Sequence, residues 1–165
     1  MGDAERPKVG DELTGPIRCV TPERIQWYDS AMLSAATDEL RRVGSNIHTD
    51  EEYAKSQGFT AANADGMIMT NWCSEMLLRT FGLAYLERGE LRTKYIKPTN
   101  VGVELHVRGR ITDATRQPDG STLYTIDVWC EDERGTKLVE GDAKVEVARG
   151  EIERSGRTRT KYSDR

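Results

Sequence analysis

The sequence predicts an α+β domain in which an antiparallel sheet packs against one long helix, and three observations carry that prediction. From Gly66 to Phe81, the apolar residues Met69, Trp72, Cys73, Met76 and Leu77 recur at helical spacing, while Thr70, Asn71, Ser74, Glu75 and Arg79 take the other side. After Glu90 the period changes to two, with Val103, Leu105, Val107 and Ile111 alternating with Glu104, His106, Arg108 and Arg110. Turn signals at Pro118-Asp119-Gly120 and at Gly135 then set off strands from Leu123 to Glu131 and from Lys137 to Val147, the connection pattern of an antiparallel meander.

Taken in order, Pro16 to Val20 reads as a short strand. Thr21-Pro22-Glu23 reads as a helix start, with Thr as N-cap and Pro at the first helical position, and a helix of modest length through Trp27, Tyr28 and Met32 follows. Thr37 to Ser45 has no clear period and contains Gly44, so it reads as a loop. Thr49-Asp50-Glu51-Glu52 fits a capping box, with the Thr49 hydroxyl accepting from the Glu52 amide, at the head of a short helix ending near Gly58. His48 thereby stands at the entrance of a capped helix. Gly82 terminates the long helix, because glycine reaches left-handed backbone angles without steric cost. The segment 150–165 carries four arginines and one lysine with almost no large apolar side chain, so it is expected to be a flexible tail, or to lie along a partner, after a single domain over 1–149.

Bulk properties narrow the function classes. A chain of 165 residues suits one domain with a real core. A net charge of -4 and a pI near 5.3, with no basic stripe or aromatic platform in the body, argue against a nucleic-acid partner. Apolar runs such as Gly66 to Met69 are far too short to span a bilayer, and Met1 to Glu5 lacks an apolar signal region, so the expected location is the cytoplasm. Cys19, Cys73 and Cys130 are odd in number and far apart along the chain, and are read as reduced structural thiols. No metal or redox cofactor is expected, since neither a ligand cluster nor a dinucleotide glycine pattern is present.

A short helix, a long central helix and then a meander is the element order of a hotdog fold, in which the sheet wraps the helix. At this level the residues become specific. Asn46-Ile47-His48-Thr49-Asp50-Glu51-Glu52-Tyr53-Ala54, then Gly58-Phe59, then Asp65-Gly66-Met67, resembles the hydratase signature of the MaoC-like family. That signature has an Asn-Pro-x-His-x-Asp core, a following Ala and Gly-Phe pair, and a His-Gly-Met helix start. Lys94-Tyr95-Ile96-Lys97-Pro98 is similar to the family's Arg-Phe-x-x-Pro strand, and Val139-Glu140-Gly141-Asp142-Ala143 to its closing Gly-x-Ala strand. The resemblance runs from about Val9 to Val147.

The resemblance implies an (R)-specific enoyl-CoA hydratase or dehydratase chemistry: water adds to, or leaves, a 2-enoyl or 3-hydroxyacyl thioester on coenzyme A or a carrier protein. Coenzyme A then enters as part of the substrate, and no separate cofactor is needed. Such chemistry requires an acid/base pair and donors to the thioester oxygen. His48 answers to the first role, with Asn46 or Asp65 assisting; Gly66, with Met67 beside it, answers to the second as the substrate-binding start of the central helix. Arg92, Lys94 and Lys97 could meet coenzyme A phosphates or line a solvated strand face. The implied assembly is a homodimer or a hetero-oligomer with a second hotdog chain.

One departure stands out. The family's catalytic Asp lies five residues before the His, and that position here is Val43. Ser45 and Asn46 replace the Asn-Pro pair, and Asp65 replaces the His before the helix glycine. Three readings answer the departure. A carboxylate comes from elsewhere, with Asp65 the first candidate, Asp38 or Glu39 next, and Asp50 disfavoured by its place at a cap. Alternatively, Asn46 orients a water while His48 makes both proton transfers. The third reading is a silent chain that pairs with an active homologue. A thioesterase shares the fold but lacks a nucleophile or general-base motif here.

Overall fold

In the computed structural model the described residues are 6–41 and 44–151. The elements run β1 (Glu12–Thr14), β2 (Arg18–Cys19), α1 (Pro22–Thr37), α2 (Glu51–Ser56), α3 (Gly66–Phe81), α4 (Leu83–Arg88), β3 (Gly89–Tyr95), β4 (Glu104–Arg116), β5 (Thr122–Asp132) and β6 (Lys137–Val147). One antiparallel sheet is ordered β1-β4-β5-β6-β3, with β2 also pairing on β4. The sheet curls around α3, which touches β1, β3, β4, β5 and β6. This is the hotdog arrangement that the element order predicts.

The core follows from the two periodicities. Ile68, Met69, Trp72, Cys73, Met76, Leu77 and Phe81 form the buried face of α3, and Leu105, Val107, Ile111, Ile126, Val128, Val139 and Val145 face them from the sheet. Gly82 ends α3 at φ 60°, a backbone angle open to glycine, and its N–H caps the Leu78 carbonyl. The turn at 117–121 closes through Gln117 N–H to the Ser121 carbonyl and Gly120 N–H to the Gln117 carbonyl.

Several local expectations are corrected. The helix starting at Pro22 is longer than expected and runs to Thr37, because the Ser34 hydroxyl ties its last turn to the Arg41 backbone, the Thr37 hydroxyl donates back to the Leu33 carbonyl, and Asp38 turns it off in the left-handed region at φ 55°. The cap of α2 is Asp50, not Thr49: Asp50 Oδ1 accepts from Tyr53 N at 3.0 Å, one residue later than the capping-box reading. Thr49 instead donates its hydroxyl to the Gly44 carbonyl at 2.8 Å. The strand expected over Pro16–Val20 is reduced to Arg18–Cys19, and β1 and α4 are additional elements. Cys73 and Cys130, distant along the chain, meet in the core with Sγ atoms 3.7 Å apart; their hydrogen bond, followed by burial, pushes the Cys130 thiol far up, which makes Cys130 an inert thiol. Val43 and the tail beyond Glu151 lie outside the described residues.

Candidate active site

The site forms where the His48 loop crosses the start of α3. Asn46 builds the loop: its Oδ1 accepts from His48 N at 2.7 Å and from Thr49 N at 2.9 Å, an Asx turn that fixes the histidine backbone. The Thr49 hydroxyl lies 3.1 Å from the same oxygen. On the other side, Asn63 N donates to the Ile47 carbonyl, and the segment 62–64 is pinned to 99–101 through Ala64 N to Thr99 O at 2.7 Å and Val101 N to Ala62 O at 3.2 Å. The loop is therefore clamped at both faces.

His48 Nδ1 lies 2.9 Å from the Asn63 carbonyl oxygen. A carbonyl only accepts, so Nδ1 carries the hydrogen and the neutral ring keeps its lone pair at Nε2. Half-buried, His48 lines a cavity of about 300 Å3 together with Asn63, Gly66, Met69, Tyr95 and Lys97. It also borders a second hollow whose opposite wall is Pro22, Glu23 and Gln26 of α1.

Gly66 opens α3, where the first amides have no intrahelical acceptor and the helix dipole is positive. Asp65 is the N-cap: its Oδ1 accepts from Met67 N at 2.8 Å, so the Met67 amide is occupied and the Gly66 N–H remains at the helix mouth. The Met67 side chain is exposed and its sulfur accepts from the Tyr95 hydroxyl at 3.4 Å. The Tyr95 ring lies flat against Gly66: a Cβ there would come within 2.7 Å of the ring. Thr70 Oγ1 fixes that ring through a 2.8 Å contact with the Tyr95 hydroxyl.

A carboxylate absent from the sequence reading enters from α1. Asp29 is 9% exposed, and its Oδ1 has no hydrogen-bond partner. Burial pushes its carboxyl up, opposed by the charge of His48 and by the Asn46 side-chain amide, with the nearby Asp65 pushing it further up. Tyr28, its neighbour, is raised by burial and then by the Asp65 charge. The missed signal is the spacing from Ile25: Asp29 stands one turn on from a fully buried residue, so both belong to the inner face of α1.

The other acidic candidates stand elsewhere. Asp38 is the exposed C-cap of α1, and Glu39 pairs with Arg41 at 2.5 Å on the surface. Backbone donation from Tyr53 holds Asp50 below the usual carboxylate range at its cap. His106 faces Glu104 at 3.5 Å on β4, as its alternating position predicts. Arg92 and Lys94 are exposed on β3, and Lys97 alone of the three lysine and arginine candidates lines the cavity. Among the described residues, no group of His, Cys, Asp and Glu is arranged to hold a metal ion, and no helix is long and apolar enough to cross a membrane.

Neither a protein-family model nor a curated protein matches the chain. Solved structures do. A MaoC-like dehydratase from Rhodospirillum rubrum superimposes with a TM-score of 0.65 at 23% identity, covering 86% of this chain and 93% of that one. An (R)-hydratase from A. caviae involved in PHA biosynthesis gives 0.65 at 17% identity, over 87% of this chain and 99% of that one. The HadBC complex of Mycobacterium tuberculosis, a (3R)-hydroxyacyl-ACP dehydratase, gives 0.61 at 18% identity, over 84% and 96%. The chain thus has the hotdog fold in the form shared with the MaoC-like dehydratases and (R)-hydratases.

Proposed function

We propose that the protein is a hydro-lyase that adds water to 2-enoyl thioesters, or removes it from 3-hydroxyacyl thioesters, of coenzyme A or a carrier protein. The observation that carries this reading is that His48 and Gly66 line one cavity, with Nδ1 anchored on the Asn63 carbonyl so that the neutral ring keeps its lone pair at Nε2. In the hydration direction, His48 Nε2 takes a proton from water as the hydroxide oxygen bonds to the β-carbon. The electron pair of the double bond moves toward the thioester oxygen, where the Gly66 N–H meets the developing charge. The proton then passes from His48 to the α-carbon. Asn46 assists by holding the His48 loop, Asp65 by setting the turn that presents Gly66, and Met67 and Tyr95 by shaping the acyl side of the cavity. Lys97 is the cation available to a coenzyme A phosphate. We place the protein in the cytoplasm, as a homodimer or beside a second hotdog chain; the HadBC neighbour is itself such a complex.

The test is a panel of enoyl-CoA substrates of different chain length, followed at the absorbance of the conjugated thioester. Wild type is expected to bleach that band, and His48→Ala to lose at least about 100-fold of the rate, the usual scale of a general base. Folded wild type that acts on none of them sinks the reading. A second reading, an acyl-thioester-binding subunit that completes the site of an active homologue, is favoured by Val43 at the family's Asp position; in that case activity appears only on mixing with the partner chain, and His48→Ala leaves the mixture active.

A further inference from the structure

We propose that Asp29 is the positioning carboxylate of His48, delivered by α1 in place of the side chain that Val43 lacks, and that it holds the imidazolium formed each time His48 takes a proton. The assignment rests on the hydro-lyase reading for its place in catalysis. Its geometric basis is independent of that reading.

Residues 22, 26 and 29 follow one another at helical intervals of four and three, so they share a face of α1. Pro22 and Gln26 on that face border the same hollow as His48, and Asp29 follows on the next turn of the same face. The carboxyl is buried and one of its oxygens has no partner, an arrangement that costs stability and is not explained by packing. Asn46 connects the two groups. Its oxygen is occupied by the backbone of His48 and Thr49, and its side chain is close enough to Asp29 to oppose the upward push of burial on that carboxyl. The residue of the Asx turn thereby stands between the carboxylate of one element and the base of another.

The proton balance is simple. The step requires Asp29 ionised and His48 neutral, with its hydrogen on Nδ1. After abstraction from water the imidazolium carries hydrogens on both nitrogens, and the Asp29 charge offsets it until the proton leaves for the α-carbon. Other groups face this pair and enter its electrostatics: Lys97 across the cavity, Glu23 and Glu51 in the second hollow, Asp65 at the start of α3, and the phenols of Tyr28 and Tyr95. Asp29 is the buried carboxylate among them.

The chain has two histidines, which makes the test direct. The ring resonances of His48 are followed by NMR against pH in the full-length wild type and in Asp29→Asn, with His106→Gln for assignment. Loss of the Asp29 charge is expected to move the His48 midpoint down, the direction set by removing a neighbouring opposite charge. In wild type the Asp29 carboxyl carbon must also register the His48 titration, which checks the pair without any substitution. On an enoyl-CoA substrate, Asp29→Asn is expected to lose roughly 100-fold in kcat with KM nearly unchanged, to shift the rising limb of the pH profile down with the His48 midpoint, and to be partly rescued by Asp29→Glu. An unmoved His48 midpoint and a silent Asp29 carbon overturn the proposal. If wild type acts on no enoyl thioester yet the midpoint moves, the pairing stands and the hydro-lyase reading falls. If wild type is active and Asp29→Asn retains full rate, the pairing has no place in catalysis and the proposal falls alone.

Discussion

At the scale of single residues, the site depends on what Gly66 lacks. Its hydrogen lies under the Tyr95 ring, and a methyl group there would approach ring carbons at 2.7 Å, well inside van der Waals contact. The ring cannot yield freely because Thr70 holds its hydroxyl. Gly66→Ala is therefore expected to destabilise by about 1–3 kcal/mol, the usual cost of overpacking. In urea unfolding the double variant Gly66→Ala/Tyr95→Leu should cost less than the sum of the single changes; additive effects would show that the strain lies elsewhere. The same scale shows what could be read from sequence. His48, Gly66 and Asn46 stood out because they sit in an ordered local pattern, and the structure brings His48 and Gly66 to one cavity. Asp29 did not, because its meaning depends on which face of α1 is buried, and the mixed pattern of Trp27, Tyr28 and Met32 leaves that face undefined until the helix docks.

At the scale of elements, legibility followed periodicity and punctuation. The bounds of α3 and β6 match expectation because an apolar stripe coincides with Asp65 and Gly82 in one case, and alternation is framed by Gly135 in the other. α4 escaped notice because six residues of helix directly after a breaking glycine carry too short a pattern to be distinguished from a turn. The α2 cap was misplaced by one residue because Thr49 and Asp50 are both good cap residues, and the Thr49 hydroxyl is drawn away to the Gly44 carbonyl. For α3 the cap assignment has a consequence that can be measured. Asp65→Ala should lose about 1 kcal/mol, whereas Asp65→Asn, which keeps an accepting oxygen for Met67 N, should lose little. Equal losses in thermal unfolding would mean that the charge of Asp65, rather than its cap geometry, supports the helix.

At the scale of the whole molecule, two buried or half-buried carboxylates pull the stability curve in opposite directions. Burial raises Asp29, and its partners only partly oppose this. In the unfolded chain it titrates at its ordinary value, near 3.9, so between that value and its higher folded value the native state binds more protons. Stability from this group is fully present below the unfolded value and is lost as pH rises through the folded one. For Glu75, burial alone would raise the carboxyl, but hydrogen bonds and charge from Arg18 and Arg79 outweigh it and the net shift is downward. Here the unfolded chain binds more protons, so the stabilisation is present above the unfolded value and is lost as pH falls through the folded one. Asp29→Asn and Glu75→Gln should therefore depart from wild type in opposite senses as pH rises from about 3 to 7. At neutral pH Asp29→Asn is expected to melt higher, by roughly 2–4 °C for each kcal/mol recovered, and Glu75→Gln lower, while near pH 3 both differences shrink. A fall in the melting temperature of Asp29→Asn at neutral pH would mean that the carboxylate strengthens the fold. Its burial would then be structural, and the trade of stability for chemistry at α1 would not exist.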